Sequence, residues 1–83
     1  MVSASTLDQL PVGCSATVKA LSFAGSKRRR MLDLGFVPGS PVSALQASPW
    51  GDPVAYAVRG AVIALRRQDA KQISILAKGG SWT

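Results

Sequence analysis

The chain has 83 residues, enough for one domain with a small core, and its 47% of apolar residues argues against long disorder away from the ends. Ten Lys and Arg against four Asp leave a net charge of +6, which favours an anionic partner: nucleic acid, an acidic lipid surface or an acidic protein face. The single cysteine, Cys14, excludes an internal disulfide, and no apolar run approaches the ~18–20 residues of a membrane span, so a soluble protein of a reducing, cytoplasmic compartment without a signal peptide is expected.

Met1–Thr6 reads as a loose N-terminal segment. Leu7 and Leu10, followed by Pro11 and Gly13, predict one helical turn that plugs an end of the core. Cys14–Leu21 alternates, with Ala16, Val18 and Ala20 on one side and Ser15, Thr17 and Lys19 on the other, as a half-buried strand does. Ser26 is suited to accept the first free amides of a helix over Lys27–Leu34. Gly35 stands where a left-handed residue ends such a helix, and Phe36 can fold back on Met31. Pro38 forbids further helix, and Pro38-Gly39 turns the chain toward the next strand. At about 100° per residue, Ala24, Met31 and Leu34 share an apolar face with the stem of Lys27, while Arg29, Arg30 and Asp33 lie away from its centre.

Pro41–Ala47 is the next strand, and Ser48–Pro53 is a loop by composition. Val54–Val58 and a return strand through Ala61, Ile63 and Leu65 flank a tight Arg59-Gly60 hairpin turn. Arg66–Gln72 can hold one helical turn, after which Ile73 and Ile75 close the sheet. The division that follows is a flexible segment 1–6, a folded domain 7–76 and a flexible tail 77–83. About five short strands with one inserted helix predict an all-β fold, a small barrel of SH3-like type, with an OB-like barrel open on spacing alone.

Catalytic chemistry is hard to build from this composition. Histidine is absent, and Asp8, Asp33, Asp52 and Asp69 are far apart in sequence. A metal site needs about four clustered ligands, and neither a carboxylate pair, nor a nucleophile beside a base, nor a phosphate-binding loop is present. No catalytic residue, metal ligand or cofactor is assigned, and Cys14 reads as a small buried residue at a strand start.

Three features can bind a partner. Lys27-Arg28-Arg29-Arg30 is either a solvated helix face, with an Arg29–Asp33 pair, or a patch for an anion or acidic protein. Trp50, between Pro49 and Gly51, is either an exposed anchor or a lid on the barrel end. Arg59, Arg66 and Arg67 extend the basic surface around the return strand, with solvated charge as the default reading.

The residues Leu7-x-x-Leu10-x-x-Gly13, then Arg29-Arg30-Met31-x-Asp33-Leu34-Gly35-Phe36-x-Pro38-Gly39, then Gly51-Asp52-Pro53, Arg59-Gly60, Ile63-x-Leu65-Arg66 and Ala70-x-x-Ile73 resemble the ferrous iron transport protein A (FeoA) family. Met31 stands where that family usually has leucine. The resemblance implies an SH3-like barrel with its helix inserted after the first strand. Leu34, Gly35, Pro38, Gly39, Gly51, Asp52 and Pro53 would be its structural motif. It also implies a non-enzymatic cytoplasmic accessory protein of bacterial ferrous iron uptake, linked in that sense to a transition metal. The implied partner is the cytoplasmic GTPase portion of the FeoB membrane transporter. The module is similar as well to the C-terminal domain of iron- and manganese-dependent repressors of the diphtheria toxin repressor type, but no helix-turn-helix is visible here.

On this reading Arg28, Arg29, Arg30, Trp50 and Arg59 form the docking surface of a monomer or weak dimer, without membrane insertion or specific nucleic-acid binding. The alternative is a small basic barrel that binds RNA or DNA non-specifically. Single-strand readers stack bases on exposed aromatics, and Phe23, Phe36 and Tyr56 fall in the core by pattern, which leaves Trp50 and Trp82.

Overall fold

Alternating apolar residues, interrupted by glycine-bearing turns, fold into six antiparallel strands among the described residues. The computed structural model describes residues 4–77. The strands are β1 (Ala4–Thr6), β2 (Ser15–Leu21), β3 (Pro41–Ala47), β4 (Val54–Val58), β5 (Ala61–Leu65) and β6 (Ile73–Ala77). They are ordered β1-β6-β2-β3-β4-β5 in one sheet. A single 3-10 turn, Leu7–Gln9, follows β1; α1 (Gly25–Leu34) joins β2 to β3, and α2 (Arg67–Ala70) joins β5 to β6.

The inward faces meet in one core. Val18, Val42, Tyr56, Val58, Ile73 and Ile75 are almost completely buried, with Leu7 closing one end and Phe36 filling the space under α1. Burying a side chain of this size contributes about 1.5–3 kcal/mol, so these positions carry much of the stability. The Tyr56 hydroxyl donates to the Leu7 carbonyl at 3.4 Å, which satisfies the one polar atom the ring takes inside.

Two bulges separate the observed sheet from the simple alternation. The register of β2 against β6 shifts between Val18 and Ala20, and Ala20 is exposed while Leu21 is buried. The expected Ala16/Val18/Ala20 face therefore continues as Ala16, Val18, Leu21. In β3 the register shifts between Ala44 and Gln46, which leaves Leu45 as the extra residue and keeps Gln46 as well as Leu45 exposed. Extra residues of this kind sharpen the twist and curl the sheet.

Ala4–Thr6 was expected to be loose, but it pairs with Ser74–Leu76 as an edge strand. Its small polar residues have no amphipathic pattern of their own, and backbone pairing holds them. Ala77 belongs to β6, and the rest of the expected tail, with Trp82, lies outside the described residues, as do residues 1–3. Among the described residues no ladder joins β1 to β5. The 3-10 turn and α2 meet across that seam, where Arg67 Nη1 donates to the Asp8 carbonyl at 3.5 Å.

Candidate functional site

The basic residues are positioned by α1, and α1 is positioned by its ends. At the start, Ala24 occupies the N-cap position and is exposed, no side chain caps the helix, and Ser26 lies inside it. The expected Ser26 cap and the placing of Ala24 on the apolar face are thus corrected: the helix begins two residues earlier, at Gly25. Its end follows the expectation. Gly35 has φ +118°, its amide donates to Leu32 at 3.0 Å, and the Phe36 amide donates to Met31 at 3.1 Å. These are the two bonds of a Schellman cap, and Met31 and Phe36 are both buried beneath it. Pro38-Gly39 then makes a turn closed by Ser40 N–H to the Val37 carbonyl at 2.9 Å, with Gly39 at φ +94° as a type II turn requires.

The helix splits the basic run. Arg28 and Arg29 lie on the outer side, beside Gly25, Leu32 and Asp33, and Arg28 Nη1 also donates to the Leu21 carbonyl at 3.2 Å. Lys27 and Arg30 lie on the other side, facing β5 and α2. Lys27 Nζ stands 2.7 Å from Asp69 on α2 and 5.5 Å from the centre of the Phe23 ring. The expected Arg29–Asp33 pair does not form among the described residues, where both side chains are exposed, and the ion pair of the helix is Lys27–Asp69.

Between α1 and β5 runs an open groove of about 690 Å³. Met31 and Leu34 form one wall, and Ile63, Ala64 and Leu65 form the other. Lys27, Arg30 and Asp69 supply its charges. Arg59 lies at the far end. Its side chain passes over Gly35 so closely that a Cβ there would meet it at 3.2 Å. Arg59 itself has φ 49° and Gly60 φ 80°, as the two central residues of a type I′ hairpin turn.

Trp50 is 90% exposed, so it is not a lid on the barrel end. Its loop is nevertheless tied down. Ser48 N–H donates to the Pro53 carbonyl at 3.1 Å, Arg67 Nε donates to the Gly51 carbonyl at 2.9 Å, and the Arg67 amide donates to Asp52 Oδ1 at 2.9 Å. The carboxylate of Asp52 thereby satisfies the first amide of α2. The reading of Arg67 as plain solvated charge is corrected: its side chain and backbone amide hold the loop at Gly51 and Asp52, and its Nη1 reaches the Asp8 carbonyl of the 3-10 turn. Asp69 in the same short helix holds α1, so Trp50 and the arginines are connected through α2.

Cys14 is half-buried against the core, just before β2. Among the described residues no group of three or more Cys, Asp or Glu is placed to hold a metal ion, and no helix is long and apolar enough to cross a membrane.

A family model for the FeoA domain matches residues 5–76. The chain belongs to the FeoA family. That family is associated with ferrous iron transport, and the SH3-like fold expected from its resemblance is the one observed. Over 69 residues the chain is 35% identical to a Fe(2+) transport protein A/Fe(2+) transporter FeoB fusion protein of Porphyromonas gingivalis. The match takes in 83% of this chain but spans only 8% of that fusion protein. Iron(II) transport protein A of Clostridium thermocellum superposes with a TM-score of 0.85 at 32% identity, covering 90% of this chain and 46% of that one. FeoA of Stenotrophomonas maltophilia, a prokaryotic SH3-domain protein solved with zinc, superposes with a TM-score of 0.73 at 32% identity, covering 84% and 87%.

Proposed function

We propose that this protein is a non-enzymatic cytoplasmic accessory module of bacterial ferrous iron uptake that docks on the cytoplasmic GTPase portion of a FeoB-type transporter. The observation that carries the reading is the P. gingivalis relative, in which a FeoA-like segment and a FeoB transporter share one polypeptide. Fusion puts the two at a high effective concentration, which suits partners whose separate affinity is modest. The physical character of the surface supports it. A charge of +6, displayed on α1 by Arg28, Arg29 and Arg30, speeds encounter with an acidic face, and Arg59 continues that charge at the hairpin. Trp50, exposed on a clasped loop, offers an aromatic anchor with little conformational entropy left to lose. The module acts as a monomer or weak dimer.

The test is co-purification. The tagged protein, incubated with detergent-solubilised membranes of its source cell, is expected to retain the FeoB-type transporter and to lose it as salt is raised. Retention of no transporter by the wild-type protein contradicts the proposal.

A further inference from the structure

The groove between α1 and β5 has a feature that an ordinary surface depression lacks: one of its walls is a strand edge that no other strand pairs with among the described residues. The Arg59-Gly60 turn leaves Val58 and Ala61 as the first opposed pair, and Ile63 and Leu65 oppose Tyr56 and Val54. In a hairpin with two turn residues these pairs exchange the ladder hydrogen bonds, so Ala61, Ile63 and Leu65 present their backbone to β4. Val62 and Ala64 present theirs to the outside, and neither has another backbone partner among the described residues. The Val62 side chain is 67% exposed.

The helix is anchored near both ends of this edge. Its N-terminal end is pinned by Lys27 to Asp69, just beyond the end of β5, and its C-terminal end meets Arg59, just before the start of β5. Ten helical residues span roughly 15 Å and five strand residues roughly 17 Å, so the two walls match. A slot between this strand edge and the helix flank admits an extended chain, which satisfies the edge and packs side chains on the partly exposed Leu34 and Ile63.

The charges select the occupant. Lys27 and Arg30 line the helix side, Arg59 stands at one end of β5 and Arg66 and Arg67 at the other, against the single carboxylate of Asp69. A second copy pairing through its own β5 would bring these basic flanks together, an arrangement that like charge opposes. We infer that the groove receives an extended segment of the transporter's cytoplasmic portion, apolar at alternate positions and bearing acidic side chains, whose backbone pairs with Val62 and Ala64 of β5. This rests on the docking reading above and names the way the partner is held.

The experiment uses the ¹⁵N-labelled full chain and, as probe, the recombinant cytoplasmic portion of the source cell's FeoB-type transporter. In the complex the Val62 and Ala64 amides are expected to exchange with solvent roughly tenfold or more slowly than in the free protein, because exchange must then wait for the added ladder to open. Val62→Pro removes an outward N–H without touching a bond to β4, and is expected to weaken binding about tenfold or more. Arg30→Glu, on the helix wall, is expected to weaken it as well. Binding of the probe with both amides exchanging at their free rates, or with the same affinity for V62P and wild type, overturns the groove while leaving the docking reading intact. Failure of the wild-type chain to bind the probe at all overturns both.

Discussion

Gly35 combines two demands that no other residue meets. Its φ of +118° is a conformation that side chains rarely adopt, and a Cβ would meet the Arg59 side chain at 3.2 Å. Gly35→Ala is expected to lower stability by about 1–2 kcal/mol, read from the urea midpoint; an unchanged midpoint would mean that the cap is not strained by a side chain. This position was legible in the sequence because Gly35-Phe36 followed by Pro38 admits few conformations. Ser26 was not, because a serine two residues inside a helix and a serine at its cap look alike until the chain before them is placed. Tyr56 carries a pH dependence. Burial, opposed by Arg67 and reinforced by Asp8 and Asp52, raises its hydroxyl above the ordinary pKa of 10.0. The folded state thus holds this proton more tightly than the unfolded chain. The stabilisation is complete below about pH 10 and is lost as the pH climbs through the higher folded value. The stability difference between wild type and Tyr56→Phe should therefore be constant at neutral pH and shrink in strong alkali; a difference that grows with pH would contradict the burial of the hydroxyl.

At the scale of elements, α2 is only four residues long, yet it ties two features that the chain separates widely. Asp69 takes Lys27 from α1, and Arg67 takes Gly51 and Asp52 from the Trp50 loop. Lys27 is half exposed, so the pair is screened by water and ions, and a double-mutant cycle on Lys27 and Asp69 should return no more than about 1 kcal/mol, falling with added salt. A coupling of several kcal/mol that ignores salt would mean the pair is far more enclosed than the geometry indicates. Arg67→Ala removes the bond to Gly51 but keeps the backbone amide's bond to Asp52, so it should loosen the loop at Trp50 and Gly51. Backbone amide order parameters at Trp50 and Gly51 are expected to drop while those of β4 stay unchanged; unchanged values at the loop would show that it is held by something else. The strands β3, β4 and β5 were legible residue for residue, since their turns are marked by glycine and proline. The bulges in β2 and β3 were not, because a bulge is a relation between two strands and leaves no mark in either alone. The same holds for β1, which is a strand only by virtue of β6.

At the scale of the whole molecule, the charge of +6 was plain from composition, but its division was not. Arg28 and Arg29 fall outside and Lys27 and Arg30 fall in the groove because α1 lies along β5, a packing that no local pattern encodes. A surface this basic will hold any polyanion at low ionic strength by counterion release. Binding to RNA or DNA is expected to vanish near physiological salt and to show no base preference; tight binding that survives there would favour a nucleic-acid partner. The docking account makes a different demand on the same charges. The most direct measurement is the kinetics of association with the cytoplasmic portion of the FeoB-type transporter, compared for wild type, Arg28→Glu/Arg29→Glu and Trp50→Ala, each first shown to be folded. Charge reversal is expected to lower the association rate and flatten its salt dependence, while Trp50→Ala raises the dissociation rate. Wild-type kinetics in both variants would contradict the account and place the docking surface elsewhere.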